Sequence, residues 1–227
     1  GKNTNEDQLK PIERWFKQQG WTASYFQKQS WNSYLNGASG LIQVPTGSGK
    51  TYAAMMGPIA RILSEEKGAK GLRVLYLTPL RALSRDLSLA IQEPINAMQW
   101  PIRVCTRNAD TSSSERTNQL KNPPEILITT PESLSVLLSN RKARYLFNGL
   151  HTVILDEWHE LMGSKRGSQT ELALSWLRQQ QPKLQTWALS ATIGNIEEAT
   201  EHALGISTAN RVIVNHAPKR KTTIKSI

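Results

Sequence analysis

Cysteine is nearly absent from the 227-residue chain: Cys105 stands alone, so no disulfide can close within it and no zinc site of clustered cysteines can form. A reducing compartment fits that usage. Long apolar runs are missing too. The stretches around Val74 to Leu77 and Val153 to Leu155 are a few residues long, against the ~20 that a membrane-crossing helix requires. The first residues, Gly1-Lys2-Asn3-Thr4-Asn5-Glu6-Asp7, hold no apolar signal core and no initiating Met, so they read as a processed or excised end of a cytoplasmic protein. There is no internal repeat and no long low-complexity segment. Acidic residues are in deficit, 18 against 28 basic ones, and the resulting net charge of +10 draws a protein toward polyanions. Charge alone does not choose between nucleic acid, a membrane surface and plain solvation.

What the chain does have is the composition of a folded domain. Hydrophobic residues make up 38% and charged residues 20%, which excludes a disordered or collagen-like chain, and the length suits one large α/β domain. Short β-branched runs alternate with amphipathic stretches, the pattern of a mostly parallel sheet flanked by helices. Seven strands are expected at Gly40 to Val44, Arg73 to Thr78, Ile102 to Thr106, Ile126 to Thr130, Thr152 to Asp156, Gln185 to Ser190 and Arg211 to Asn215. Helices are expected at Asp7 to Gln19, Gln27 to Asn36, Lys50 to Glu66, Leu80 to Met98, Ser113 to Leu120, Glu132 to Leu138, Gln169 to Gln180 and Ile196 to Leu204. Loop signals fall at Lys67 to Gly71, Asn122-Pro123-Pro124 and Gly163 to Ser168.

Three constellations carry chemistry. Strand Gly40 to Val44 runs into Pro45-Thr46-Gly47-Ser48-Gly49-Lys50-Thr51 and a helix follows at once, which is a P-loop in its required setting. Its glycines let backbone N–H groups turn toward phosphate oxygens, Lys50 brings a mobile positive charge to the β- and γ-phosphates of ATP, and Thr51 offers a hydroxyl to Mg²⁺. Val44 departs from the pattern, standing where P-loops in general have a first Gly. Asp156-Glu157 then emerges from an apolar strand at the same sheet edge, where Asp156 is placed to hold Mg²⁺, through water, and Glu157 to polarise an attacking water. His159 points either toward the γ-phosphate side or toward Ser190 and Thr192, and Trp158 is expected in the core. Ser190-Ala191-Thr192 follows another buried strand and ends beside the carboxylates.

In their order, Pro45 to Thr51, Asp156 to His159 and Ser190 to Thr192 resemble the superfamily 2 helicases of the DExH type. The resemblance extends through Thr78-Pro79-Leu80-Arg81-Ala82-Leu83 and Thr129-Thr130-Pro131-Glu132-Ser133-Leu134. The run from Asp156 to Gly167 is similar to the Lhr (large helicase-related) family, in its bacterial subgroup associated with DNA ligase and a nuclease in DNA repair. The resemblance implies a RecA-like P-loop NTPase domain: an N-terminal helical segment over 1–30 with an adenine-recognition motif, a first RecA-like lobe over 31–215, and a basic linker over 216–227 toward a second RecA-like lobe. It implies a motor that uses ATP and Mg²⁺ to move 3′ to 5′ on single-stranded DNA and displace a DNA or RNA strand from a tailed duplex, in the bacterial cytoplasm at the nucleoid.

Residues carry over where motifs match. Gln27 takes the place of an adenine-reading glutamine, though it also suits an ordinary helix start; Trp15, Phe16 or Trp21 is available to stack on the base. Thr46, Gly47, Ser48, Gly49, Lys50 and Thr51 hold nucleotide. Thr78, Arg81, Arg107, Thr130 and Ser133 face the strand, with Arg81 and Arg107 the better phosphate contacts, while Thr78 and Thr130 fit a helix cap equally well. Ser190 and Thr192 couple nucleotide state to strand grip. Cys105 to Thr111 departs from the family's Thr-Gly-Asp-Thr form, since Asn108-Ala109 replaces the glycine region. A non-catalytic nucleic-acid-binding module, an RNA helicase lobe and a P-loop kinase are the competing classes; intact Lys50, Thr51, Asp156 and Glu157 argue against the first.

Overall fold

A computed structural model of the chain describes residues 4–45, 47–66, 70–163, 166–191 and 211–215. Thr46, Lys165, Thr192, the helix expected over Ile196 to Leu204 and the basic stretch 216–227 lie outside the described residues.

Seven parallel strands form one sheet: β1 (Ser39–Gln43), β2 (Val74–Leu77), β3 (Val104–Arg107), β4 (Ile126–Thr129), β5 (Thr152–Leu155), β6 (Gln185–Ser190) and β7 (Arg211–Asn215), in the order β3-β4-β2-β5-β6-β1-β7. The strands are apolar almost throughout because both faces are covered. Along β2, Val74 and Tyr76 enter one hydrophobic cluster and Leu75 and Leu77 the other, and along β5 Ile154 faces the first while Val153 and Leu155 face the second. The first cluster is closed by α1 (Asn5–Gln18), α2 (Tyr25–Leu35), α3 (Lys50–Ser64) and α4 (Arg81–Met98). The second is closed by α6 (Pro131–Ser139), a 3₁₀ turn at Arg141–Phe147, α7 (Trp158–Met162) and α8 (Arg166–Gln180), with α5 (Ser113–Lys121) beside the β3 edge.

Several expectations are corrected in detail. Residue 30 lies inside α2, and Trp15, Phe16, Phe26 and Trp31 share the core of the sheet. The Gly163 to Ser168 loop is shorter than expected because α8 begins at Arg166. Two short elements were not anticipated, α7 and the 3₁₀ turn; at five and seven residues they span too little chain to show a helical period.

Register fixes what meets at the carboxyl edge. Gln43 of β1 pairs with Ser190 of β6, and Leu155 of β5 pairs with Leu77 of β2 and Ala188 of β6. The loops after β1, β6, β5 and β2 therefore leave the sheet side by side.

Candidate nucleotide and strand-binding edge

The loop between β1 and α3 is shaped by two glycines in left-handed backbone, Gly47 at φ 83° and Gly49 at φ 88°. A Cβ at Gly49 also falls 2.6 Å from Gln27 Nε2, so a side chain there displaces that carboxamide. Ser48 Oγ donates to Pro45 O, closing the turn. Val44 sits in the core at 2% exposure, so the bulk of this departure from the P-loop pattern is absorbed away from the loop, and its N–H donates to Ser190 O at 3.2 Å.

Gln27 is buried against this loop. Its Oε1 accepts from Ser24 N at 3.0 Å and Ser24 Oγ at 3.1 Å, and its Nε2 donates to Gly49 O at 3.1 Å. The carboxamide thus serves the helix start and braces the P-loop at once. Of the three aromatics considered for stacking, Trp15 and Phe16 are core residues, while Trp21 is 45% exposed and packs edge-on against both.

Lys50 and the two carboxylates come together as the motifs require. Lys50 Nζ lies 3.3 Å from Glu157 Oε1, with the lysine side chain 9% and the glutamate 33% exposed. Asp156 N donates to Leu77 O at 2.8 Å, which locks the start of this turn to β2. Asp156 Oδ1 accepts from Glu157 N at 2.9 Å, and Oδ2 accepts from Tyr76 Oη at 2.8 Å. Burial holds the Asp156 carboxyl above its usual range, while the Tyr76 hydroxyl and the Lys50 charge pull it back down. Glu157 itself stands at φ 49° and ψ 54°, a left-handed conformation costing a non-glycine residue about 1–2 kcal/mol. Strain of this kind persists where the surroundings impose it and is concentrated at working sites.

Trp158 is buried in the second cluster, as expected, and His159 is exposed on α7. Ser190 is buried beside the P-loop strand.

At the edge expected to face the strand the residues divide. Arg81 is exposed and pairs with exposed Asp110 at 3.5 Å, and Ser133 is partly exposed at the start of α6. Thr78 and Thr130 are buried: Thr130 Oγ1 accepts from Ser133 N at 3.3 Å and caps α6, whereas Thr78 Oγ1 accepts from Leu80 N at 3.4 Å within the turn before α4, whose N-cap is Leu80. Arg107 is turned inward, where Nη1 donates to Arg116 O and Gln119 Oε1, both at 3.2 Å, rather than lying at the surface. The loop after it is tied to α5: Arg116 donates to Asn108 O at 2.7 Å and Thr111 O at 3.1 Å, and Gln119 to Thr106 O at 2.9 Å. Side-chain bonds thus hold a loop in which the family pattern has glycine.

Sequence reasoning missed Tyr76, Asp110, Arg116 and Gln119. Only Tyr76 left a signal, an aromatic hydroxyl in an otherwise aliphatic strand whose neighbour carries Asp156.

The donor set fits Mg²⁺ with nucleotide. A carboxylate and a helix-start hydroxyl stand at the carboxyl edge with a buried lysine, beside a loop turned by two glycines. Among the described residues no three His, Cys, Asp or Glu side chains gather as a cage, and a Mg²⁺ bound by one carboxylate, a hydroxyl and phosphate oxygens needs none.

Comparison with known proteins places this geometry among relatives. Residues 24–199 match the DEAD/DEAH box helicase family. The chain is 35% identical, over 96% of its length, to the ATP-dependent helicase Lhr-Core of Methanocaldococcus jannaschii, of which it covers 27%. It is 36% identical, over 75% of its length, to the Lhr helicase/uracil glycosylase of Escherichia coli, of which it covers 12%. The structure of Mycobacterium smegmatis helicase Lhr bound to ssDNA and AMP-PNP superposes with a TM-score of 0.83 at 32% identity, over 93% of this chain and 28% of that one. The chain spans about a quarter or less of these relatives.

Proposed function

The chain belongs to the DEAD/DEAH box helicases as a RecA-like helicase domain homologous to the Lhr type, and from that premise we propose that it is the ATP-binding lobe of an ATP-dependent motor that moves 3′ to 5′ on single-stranded DNA. The displaced strand is DNA or RNA, and the setting is DNA repair in the bacterial cytoplasm at the nucleoid, alongside a DNA ligase and a nuclease. The observation that carries this reading is the gathering of Lys50, Asp156 and Glu157 at one sheet edge, with Glu157 held in strained backbone.

Each residue has a distinct task. The P-loop backbone from Thr46 to Gly49 wraps the phosphates, and Lys50 leaves Glu157 to meet the β- and γ-phosphate oxygens. Thr51 and Asp156 hold Mg²⁺, which when bound neutralises charge developing on those oxygens. Glu157, released from Lys50, orients and polarises the attacking water. Gln27 reads the adenine edge with its remaining amide proton, with Trp21 the aromatic still accessible for stacking. His159, Ser190 and Thr192 connect the nucleotide to the strand, which Arg81, Ser133 and the backbone at Thr78, Arg107 and Thr130 face.

Arginine fingers come from a second RecA-like lobe in the parent protein and supply ~10³ to 10⁵ in rate. The 227-residue chain alone therefore binds nucleotide weakly and turns it over very slowly. The test is strand displacement by the full-length protein on 3′- and 5′-tailed DNA:DNA and RNA:DNA duplexes beside a Glu157→Gln variant. The expected result is 3′-tail dependence, with unwinding lost and nucleotide binding kept in the variant; unwinding that survives Glu157→Gln overturns the reading.

A further inference from the structure

We propose that Tyr76 is a positioning residue of the nucleotide site, whose hydroxyl fixes Asp156 in the geometry that accepts Mg²⁺ together with nucleotide. The inference rests on the metal role given above to Asp156, and it assigns a function to a strand residue that no motif contains.

Tyr76 is the third residue of β2, fully buried in the cluster under α3. A buried tyrosine hydroxyl needs a partner, and here the partner is a carboxylate: Tyr76 Oη donates to Asp156 Oδ2 at 2.8 Å. The phenol therefore ties β2 to the residue that follows β5.

The phenol's one proton is directed at Oδ2, so Oδ2 has a fixed donor while Oδ1 accepts the Glu157 N–H. With both oxygens held, Asp156 keeps one orientation and presents its remaining lone pairs to the cleft. A water could supply the hydrogen bond but not the rigidity, since the ring is wedged into the core and Asp156 N is itself tied to Leu77 O at 2.8 Å. Outer partners of metal ligands act in this way, and their removal typically costs 10–100-fold in metal affinity.

The experiment follows binding of a fluorescent, non-hydrolysable ATP analogue to the 227-residue chain while Mg²⁺ is titrated from zero. Tyr76→Phe keeps the ring and removes only the hydroxyl; 4-fluorophenylalanine at the same position keeps the volume as well and serves if Phe loosens the core. The expected result is that about ten-fold more Mg²⁺ is needed for half-maximal tightening, with the Mg²⁺-free affinity unchanged, a split that general loss of structure does not produce. Asp156→Asn should abolish the tightening. If it does and the Tyr76 variants titrate like the wild type, Tyr76 has no positioning role. If Asp156→Asn also titrates like the wild type, the metal site itself is wrongly assigned.

Discussion

Charged groups gather at both ends of the sheet, and the two clusters differ in how far they are satisfied. At the amino edge, Arg73 Nε meets Glu65 at 3.0 Å, Arg61 donates to Gln185 Oε1 at 2.9 Å, and Tyr34, His151 and Thr152 share a chain of bonds in which Tyr34 Oη meets Thr152 Oγ1 at 2.5 Å and His151 Nδ1 at 3.3 Å. Arg61, Glu65, Arg73 and His151 border a cavity of about 530 Å³, yet each of them already has a protein partner. At the carboxyl edge, Lys50 has one carboxylate at 3.3 Å, Asp156 is held above its usual range by burial, and Glu157 carries backbone strain. The amino-edge groups have little left to offer a ligand. In the proposed function those at the carboxyl edge are completed by phosphate and metal, and on that reading the asymmetry separates a structural ionic cluster from a working one.

Removing the strained carboxylate tests that difference most severely. Glu157→Gly should abolish ATP turnover in the parent protein, a loss of at least ~10²-fold as for other positioned bases. It should leave the 227-residue chain as stable as before or up to about 1 kcal/mol more so, because glycine adopts φ 49° without a Cβ clash. Urea unfolding beside turnover reads both quantities; a stability loss above ~1 kcal/mol would show that Glu157 is structural and the comparison false.

The amino edge should respond in the opposite sense, with stability falling and nucleotide binding unmoved. His151 Nε2 lies 3.3 Å from Glu65 Oε1, near enough for attraction but off the line of a hydrogen bond, so that nitrogen is buried without a hydrogen-bond partner among the described residues. Burial lowers the His151 pKa below its ordinary 6.5, with the Glu65 carboxylate pulling the other way. The unfolded chain takes its proton near 6.5 and the folded chain only at lower pH, so this stability is present above 6.5 and is lost as pH falls toward the folded value. Melting temperatures between pH 8 and pH 5 should decline through that window and decline less in His151→Ala. The variant itself should cost about 0.5–1.5 kcal/mol through the lost bond to Thr152, since Thr152 and Tyr34 still bond each other. An unchanged pH slope in the variant would remove His151 from this account.

The division between the two edges was only half legible in the sequence. All seven strands were placed to within two residues, because strands buried on both faces read as apolar runs, and the P-loop and Asp156-Glu157 were found because their chemistry fixes both spacing and residue type. The amino-edge cluster was invisible: Arg61, Glu65, Arg73, His151 and Gln185 are scattered over 125 positions and meet only through sheet order. The inward partner of Arg107 was hidden for a related reason, since Gln119 lies on α5, a contact no local pattern reports.

The smallest expected effect probes whether pairing at the carboxyl edge is exchangeable even at its surface. Arg81 and Asp110 are 58% and 75% exposed and 3.5 Å apart, so their attraction is worth about 0.2–1 kcal/mol, in contrast to the more enclosed Glu65–Arg73 pair. Asp110 is held in place by the Arg116-braced loop, where its carboxylate occupies Arg81 much as a strand phosphate would. Asp110→Asn should therefore tighten oligothymidine binding by a few-fold, and the freed arginine should neutralise one further phosphate. That steepens the dependence of log affinity on log salt by about 0.7. Arg81→Ala should weaken binding and make the slope shallower by the same amount. If Asp110→Asn weakens binding instead, the carboxylate is itself a strand contact, and the surface of this edge is as fixed as the amino end.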